Sequence, residues 1–188
     1  MNPSLVYSWQ DVIKRLESNS QWLEAAKYLS ESEYINGIDL KRLWQLLDQT
    51  WDDLSEDSQN HSNFSKFLYD YYQHPVWLIN AAFSESNRET ICDRLAAVRL
   101  ITHVQPRKIL DFGGGIGTVA RLCCLNLPQA EIIDVVDITE FRQTVTQYLS
   151  DFPKIRVLEK PEPTYDAVIC TEVLEHLIDP ISTVGEIN

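Results

Sequence analysis

The chain has 188 residues, a formal net charge of −12 at pH 7 and 44% hydrophobic residues. This length and apolar content predict one or two folded domains with a buried core, and they exclude a disordered chain. With 28 acidic residues against 16 basic ones, tight binding to a nucleic-acid backbone is also disfavoured, because that binding needs clustered cations.

The sequence predicts a soluble, cytoplasmic protein without a membrane anchor. No apolar run approaches the roughly 18 residues that a membrane span requires. The first residues, 1–4, lack the cationic and apolar segments of a signal peptide. The 4 cysteines have neither CxxC spacing nor the density of a disulfide scaffold, which is typical of a reducing compartment.

Residues 1–87 are predicted to form an all-helical N-terminal region. Apolar side chains recur there at helical spacing in segments that begin at Trp9, Trp22, Leu40, Phe64 and Pro75. Ser8 is placed to cap the first segment, and a polar loop is expected at 55–63. We expect the apolar stripes to pack against other helices as core. The longest stripe consists of Leu40, Leu43, Trp44, Leu47, Trp51 and Leu54.

Residues 88–188 are predicted to form an α/β domain. A helix near 88–104 ends at Pro106, and β-rich runs follow at 108–111, 131–136, 155–158 and 165–170. Helical segments at 117–127, 139–149 and 172–177 alternate with them. This alternation predicts a Rossmann-like, doubly wound and mostly parallel sheet of about four strands.

A glycine-rich loop at 113–117 follows the first predicted strand and leads into a helix. Glycines let the backbone turn sharply and approach a ligand closely. The helix that follows offers unpaired N–H groups to an anionic group. Asp137 ends the second strand, where a doubly wound sheet places an acid that binds ribose hydroxyls. The pattern therefore predicts a nucleotide site.

Asp111 favours one class of nucleotide over another. Gly115, Gly117 and Ala120 match the dinucleotide pattern, whereas no phosphate-binding lysine follows the loop. Beside a pyrophosphate, however, the Asp111 carboxylate would place like charges a few ångströms apart. Beside the sulfonium and ammonium groups of S-adenosylmethionine it would be attractive. The charge at 111 thus predicts S-adenosylmethionine as the cofactor, with an NAD(P)-dependent oxidoreductase as an alternative.

Three segments resemble class I S-adenosylmethionine-dependent methyltransferases over residues 88–188: Asp111-x-Gly-x-Gly-x-Gly117, Val136-Asp-Ile-Thr139 and 165–180. The last is similar to the ubiquinone-biosynthesis O-methyltransferases. The resemblance implies that Asp111 and the loop glycines hold the methionine moiety, and that Asp137 and Ile138 hold the ribose. It also implies that Thr171 and Glu172 border the active site, with Glu159 as the candidate adenine ligand. The loop glycines are Gly113, Gly114, Gly115 and Gly117.

Glu172, Glu175 and His176 would share one face if their segment were helical. Three interpretations stay open. The three side chains suit a divalent metal, whose further histidine would lie beyond residue 188. Alternatively, His176 with Glu175 deprotonates the acceptor, or both side chains bond to the nearby backbone. We assign His176 and Glu175 as candidate catalytic residues and assign no metal site.

The expected function is methyl transfer to an unidentified acceptor, more readily a small molecule than a nucleic acid. Because four predicted strands are fewer than such a sheet needs, the sequence predicts a C-terminally truncated enzyme that contains the donor-binding half. The fourth strand would then be an exposed edge through which chains could self-associate. A non-catalytic helical interaction protein with a relic nucleotide fold is the other alternative.

Overall fold

The computed structural model describes residues 5–58, 64–137 and 139–187. Within these ranges the chain divides into two compact units. One is Tyr7–Asn87, which we call the helical unit. The other comprises residues 5–6 and 88–187, which we call the α/β unit.

The helical unit is all-α, as its apolar spacing predicts. Ser8 caps the first helix: its Oγ accepts from the Asp11 N–H at 3.1 Å, and the Asp11 carboxylate accepts from the Ser8 N–H at 3.2 Å. The cap predicted at Ser8 is therefore confirmed. A short third helix, which the apolar spacing does not predict, begins after Ser30 with the same reciprocal pair of bonds. The described helices of this unit are α1 (Trp9–Leu16), α2 (Ser20–Ala25), α3 (Glu31–Asn36), α4 (Leu40–Ser58), α5 (Phe64–Tyr72) and α6 (Val76–Ser86).

The long apolar stripe of α4 is buried only in part. Leu43, Leu46 and Leu47 are buried, as predicted for the first and the last of them. Leu40 and Trp44 are 52% and 57% exposed, so the prediction that they belong to the core is wrong. The helix packs against α5 and α6, and Leu40 and Trp44 lie outside the surface that it buries.

Aromatic rings join α4 to α5. The Trp51 ring lies edge-on to Phe67 and Tyr71, with centroid distances of 4.5 and 5.0 Å. Phe64, at the start of α5, is instead 63% exposed, which contradicts its assignment to the core. The loop predicted at 55–63 begins later than expected, because α4 continues through Ser58, and residues 59–63 lie outside the described residues.

The α/β unit contains a parallel sheet in the strand order β3-β2-β1-β4 among the described residues. The central strands are buried on both faces, with Ile109, Leu110 and Ile133 fully inaccessible, as expected where helices cover a parallel sheet. The Rossmann-like fold predicted from the alternation of elements is therefore confirmed. Its elements are α7 (Arg88–Leu100), β1 (Lys108–Phe112), α8 (Thr118–Asn126), β2 (Ile132–Val136), α9 (Arg142–Tyr148), β3 (Ile155–Leu158), β4 (Ala167–Ile169) and α10 (Pro180–Ile187).

Parallel pairing brings the carboxyl ends of all four strands to one edge. Asp111 of β1 lies opposite Val135 of β2 and Ile169 of β4. The strand order reverses between β1 and β4, and in open α/β sheets the ligand crevice lies outside the carboxyl ends at such a point. Asp137 and Glu159 directly follow β2 and β3, so they belong to this edge too.

Several predicted helices are shorter than their patterns suggest. The helix expected over 88–104 ends at Leu100 and is followed by a 3₁₀ turn, Thr102–Val104. Likewise, a 3₁₀ turn at Thr139–Phe141 precedes α9. Among the described residues, no helix is both long enough and apolar enough to cross a bilayer.

Candidate functional site

The glycine-rich loop connects β1 to α8 at the carboxyl edge of the sheet. It remains attached to the sheet beyond β1, since the Gly113 N–H donates to the Val136 carbonyl at 2.7 Å. Gly117 precedes α8 with a φ of +83°, a left-handed conformation that side chains rarely adopt. The sequence pattern of strand, glycine loop and helix is thus confirmed as local structure.

The four loop glycines have different surroundings. A Cβ on Gly113 would overlap Val173, and one on Gly117 would lie 2.5 Å from Leu149 Cδ1. A Cβ on Gly114 would lie 2.7 Å from the Asp111 carboxyl group. Gly115 alone among these four is exposed and has nothing within 4 Å of a Cβ position. Gly115 is therefore the point at which the loop backbone is open to a ligand.

Asp111 lies beneath the loop rather than on its open side. Its side chain is 1% exposed, and its Oδ2 accepts from the Ala120 N–H in the first turn of α8 at 2.9 Å. The pKa of Asp111 is raised to about 7, mainly because the side chain is buried; the Ala120 hydrogen bond opposes this shift, the negative charge of Asp137 adds to it and Arg94 opposes it. The contribution of Asp111 to ligand binding stays a prediction.

Asp137 also bonds to the loop. Its Oδ2 accepts from the Gly115 N–H, so the predicted ribose acid lies against the open point of the loop. Ile138, the next predicted contact, lies outside the described residues. Asp111 therefore accepts a hydrogen bond from an N–H group of α8, and Asp137 accepts one from an N–H group of the loop.

Glu159, the candidate adenine ligand, lies just beyond β3 and is exposed. Its Oε2 lies 3.2 Å from Nη1 of Arg142, the first residue of α9. The ion pair holds the carboxylate at the edge next to Asp137. A ligand group that reached Glu159 would have to share it with this arginine.

Thr171 and Glu172 line a cleft of about 320 Å³ with α7. Glu172 has a φ of +56°, an uncommon conformation for a residue with a side chain. Its Oε2 pairs with Nη2 of Arg94 at 3.3 Å. The other lining residues are Thr90 and Asp93, four positions and one position before Arg94 along α7.

The prediction that Glu172, Glu175 and His176 share a helical face is wrong. The segment forms only a 3₁₀ turn, Leu174–His176, and Glu172 lies before it in a left-handed conformation that a helix cannot contain. His176 Nε2 lies 4.0 Å from Glu175 Oε1, and both side chains are exposed. No group of three metal-ligating side chains is found in the part of the chain that the structure describes.

Two residues of the site were not identified from the sequence. Arg94 points into the cleft from α7, and Val173 covers Gly113. Arg94 could have been identified from the sequence, because it is a cation on the helix directly before the glycine-loop strand. Val173 could not have been identified, since its contact with Gly113 depends on how the chain turns after β4.

Taken together, the sheet order, the glycine-rich loop and the acid after β2 define a Rossmann-like nucleotide-binding domain. Residues 83–188 match the family described as "Methyltransferase domain". Because that match spans more than half of the chain, the chain belongs to the methyltransferase-domain family. The resemblance to class I methyltransferases, whose cofactor is S-adenosylmethionine, is therefore confirmed.

Two known proteins illustrate the similarity. Malonyl-[acyl-carrier protein] O-methyltransferase of Halalkalibacterium halodurans is 33% identical over 95 residues, which cover 45% of this chain and 35% of the relative. The crystal structure of human N-acetylserotonin methyltransferase in complex with SAM matches with a TM-score of 0.49 and 20% identity, over 84% of this chain and 46% of that one. The chain thus spans about a third of the curated relative it matches.

Proposed function

We propose that this chain binds S-adenosylmethionine at the carboxyl edge of its sheet and supplies the donor-binding half of a methyltransferase that acts on a small molecule. Family membership supports the reaction class. The observation that carries the choice of donor is that carboxylates, those of Asp111 and Asp137, bond to the N–H groups of Ala120 and Gly115.

These carboxylates disfavour a dinucleotide. Rossmann dinucleotide sites bind the pyrophosphate through N–H groups of the loop and of the helix start. Here the Asp137 carboxylate accepts from the Gly115 N–H, so a pyrophosphate at this open point of the loop would meet a like charge, while Asp111, buried beneath the loop with its pKa raised to about 7, adds a smaller repulsion in its ionised form. S-adenosylmethionine has no phosphate and carries a sulfonium and an ammonium group, so the same charges attract it.

Different residues at the carboxyl edge of the sheet are proposed to hold different parts of the donor. Bound S-adenosylmethionine supplies a methyl group on a positively charged sulfur. The backbone at Gly115 admits the ligand, and Asp137 accepts from ribose hydroxyls once it releases the Gly115 N–H. Glu159 is the proposed adenine contact, while Thr171 and Glu172 border the methyl group. Alignment of donor and acceptor is the main catalytic contribution.

The acceptor is proposed to be a small molecule with an oxygen nucleophile; the name of the bacterial relative, an O-methyltransferase, supports the oxygen. His176 is the proposed general base, because an imidazole nitrogen can accept a proton from an acceptor hydroxyl, and the Glu175 carboxylate lies 4.0 Å from its Nε2. In assays with an identified acceptor, His176→Gln should reduce kcat and leave donor binding unchanged.

Calorimetric titration with S-adenosylhomocysteine tests the donor site, with NADH as the competing ligand. The wild-type chain should bind S-adenosylhomocysteine and not NADH. Asp137→Ala should weaken this binding by about tenfold through loss of the ribose hydrogen bonds. Glu131→Ala, at the opposite edge of the sheet, is the matched control and should bind normally. Binding of NADH alone would support the oxidoreductase alternative, and binding of neither would favour the interaction protein.

Location and assembly follow as secondary proposals. All four cysteines are free, which supports the reducing cytoplasm. Among the described residues, β4 lies at one edge of the sheet, and an open edge can pair with a second copy. Sedimentation analysis over a range of concentrations would detect this self-association.

A further inference from the structure

The connection between β3 and β4 crosses the sheet without a helix. Parallel strands are usually joined by a crossover of a dozen or more residues, most often a helix. Here residues 159–166 return the chain from the carboxyl end of β3 to the amino end of β4, and all of them lie outside helices and strands. Since β3 and β4 are the outer strands, the segment also has to pass β2 and β1. Other contacts must therefore hold its course.

Side chains from three strands hold the middle of this connection. Glu162 Oε2 accepts from Lys108 Nζ of β1 at 2.6 Å, and its Oε1 lies 3.0 Å from Arg156 Nη2 of β3. Arg156 donates twice, at 2.7 Å each, to Asp134, the fully inaccessible carboxylate of β2. The Glu162 N–H donates to the Tyr165 hydroxyl at 2.8 Å, and that hydroxyl donates to Asp134 at 3.0 Å. We call these five residues the crossover network.

The crossover network is better suited to fixing geometry than to adding stability. A buried ion pair is often no more stabilising than apolar side chains of the same volume, because both ions lose their hydration. The inaccessible Asp134 carboxylate is satisfied by one arrangement of Arg156 and Tyr165, and both of these partners also bond to Glu162. The hydrogen bond from Lys108 lowers the pKa of Glu162, so this carboxylate is ionised at neutral pH.

Glu159, the proposed adenine contact, lies three positions before the anchored Glu162. Pro161 fixes its own φ and restricts the residue before it to extended backbone, and Pro163 restricts Glu162 in the same way. The link is therefore short and stiff, so a shift at 162 is carried to 159. The ion pair of Glu159 with Arg142 is exposed and joined by one contact of 3.2 Å, which holds the carboxylate only weakly.

We propose that Glu162 is a positioning residue for the donor: through the crossover network it fixes the course of residues 159–162 and holds the Glu159 carboxylate within reach of the adenine amino group. The inference rests on the proposed function and adds a residue that does not itself touch the donor. The preference for a 6-amino purine over a 6-oxo purine should then depend on Glu162.

Calorimetric titration with S-adenosylhomocysteine and with S-inosylhomocysteine, in which a carbonyl replaces the 6-amino group, isolates the base contact. Glu162→Gln removes the charge and keeps the N–H that donates to the Tyr165 hydroxyl. Lys108→Gln breaks the same ion pair from β1 and serves if the first variant does not fold. Glu131→Gln, which removes an exposed ion pair with Arg107, is the matched control.

The wild type should bind S-adenosylhomocysteine at least about tenfold more tightly than S-inosylhomocysteine, because a carboxylate accepts from an amino group and repels a carbonyl oxygen. Glu162→Gln and Lys108→Gln should each weaken S-adenosylhomocysteine binding about five- to tenfold and leave S-inosylhomocysteine within about twofold. In a Glu159→Gln chain, adding Glu162→Gln should change neither affinity by more than about twofold, since the residue acts through Glu159. The control variant should bind both compounds as the wild type does.

A merely structural role for Glu162 predicts a different pattern. Equal losses for both compounds, no loss for either, or a loss that persists in the Glu159→Gln chain would overturn the proposal. Equal binding of both compounds by the wild type would also overturn it and would leave the donor site in place. If the wild type binds neither compound, the proposed function fails. Amide hydrogen exchange at residues 159–160 then decides: faster exchange in Glu162→Gln supports the positioning role, and unchanged exchange overturns it.

Discussion

At the scale of single residues, Gly115 and Gly117 share a left-handed backbone but not an environment. Their φ angles are +55° and +83°. A Cβ on Gly117 would press against Leu149, which is buried, whereas one on Gly115 would point into open space. Gly115 is thus required because the loop is open to a ligand there, and Gly117 is required because Leu149 leaves no room for a side chain.

This difference predicts opposite phenotypes for two alanine variants. Gly117→Ala should lower the free energy of unfolding by about 2–4 kcal/mol, from backbone strain plus overpacking against Leu149. Gly115→Ala should cost only the strain, about 1–2 kcal/mol, but should weaken S-adenosylhomocysteine binding more strongly. Urea unfolding and calorimetry measure the two effects, and equal stability losses would contradict the assignment.

Asp111 predicts a pH dependence of stability. Its pKa in the folded chain is about 7, above the ordinary value for a carboxyl group, because the side chain is buried. A raised pKa favours the protonated form in the folded state, so its stabilising effect is present at low pH and is lost as pH rises towards 7. Asp111→Asn keeps an acceptor for the Ala120 N–H and removes this titration.

From pH 5 to pH 8, the wild type should therefore lose about 3 kcal/mol of stability that Asp111→Asn does not lose. Urea unfolding of both chains at the two pH values measures the difference. The same slope in both chains would show that Asp111 is not the titrating group. A cationic ligand near the loop should lower the pKa of Asp111 and reduce the loss.

At the scale of elements, the start of α6 depends on an uncharged histidine. His74 Nδ1 accepts from the Val76 N–H at 3.2 Å, and its Nε2 lies 3.0 Å from the Tyr28 hydroxyl. Burial lowers the pKa of His74, which the charge of Asp53 partly opposes. Protonation at Nδ1 would remove the acceptor and place a positive charge at a helix N-terminus, which is unfavourable.

The stabilisation from neutral His74 should be complete above pH 6.5 and should be lost as pH falls through its lowered folded-state pKa. His74→Asn provides a side-chain oxygen for the N–H two residues on and does not titrate. Between pH 7.5 and pH 5, the midpoint temperature of thermal unfolding should thus fall less steeply for His74→Asn than for the wild type. A steeper fall in the variant would contradict the role of His74.

A buried carboxylate is also important in β2. Asp134 is fully inaccessible and accepts two hydrogen bonds of 2.7 Å from Arg156 of β3, with a third at 3.0 Å from the Tyr165 hydroxyl. Arg156→Met should destabilise the chain by about 3 kcal/mol, because it leaves a buried charge without its main partner. Adding Asp134→Asn should recover part of the loss in urea unfolding; an additive further loss would contradict the pairing.

The sequence predicts element types well where the pattern is long. The four strands and the helices that begin at Trp9, Leu40 and Phe64 follow from periodicity, and the structure confirms them. The 3₁₀ turn at Leu174–His176 could not be predicted. The spacing of Glu172, Glu175 and His176 by three and four positions is compatible with an α-helix and also with a short 3₁₀ turn. The exposure of Trp44 depends on which helices meet α4, and local spacing carries no such information.

For the whole molecule, the glycine loop and the strand-end acids could be predicted, since each follows a strand in the sequence. The cleft could not, because it joins residues that are far apart in the chain: Arg94 and Glu172 are separated by 78 positions. Long-range contacts of this kind depend on strand order, and the order β3-β2-β1-β4 places the end of β4 beside the loop of β1.

A second long-range contact lies within the α/β unit, between its residue 5 and α8. Nη2 of Arg121, a fully buried residue of α8, donates to the Leu5 carbonyl at 2.9 Å over 116 positions. Deletion of residues 1–5 removes this acceptor from a buried guanidinium and should cost about 1–3 kcal/mol. Urea unfolding gives the loss, and faster amide hydrogen exchange in α8 should accompany it.

Leu5→Ala is the matched control, because it removes a side chain that is 42% exposed and keeps the backbone carbonyl. It should unfold close to wild type, and α8 should exchange at the wild-type rate. If the deletion and Leu5→Ala have the same effect, the side chain and not the carbonyl stabilises α8. If the deletion has no effect, the bond from Arg121 contributes nothing to the α/β unit.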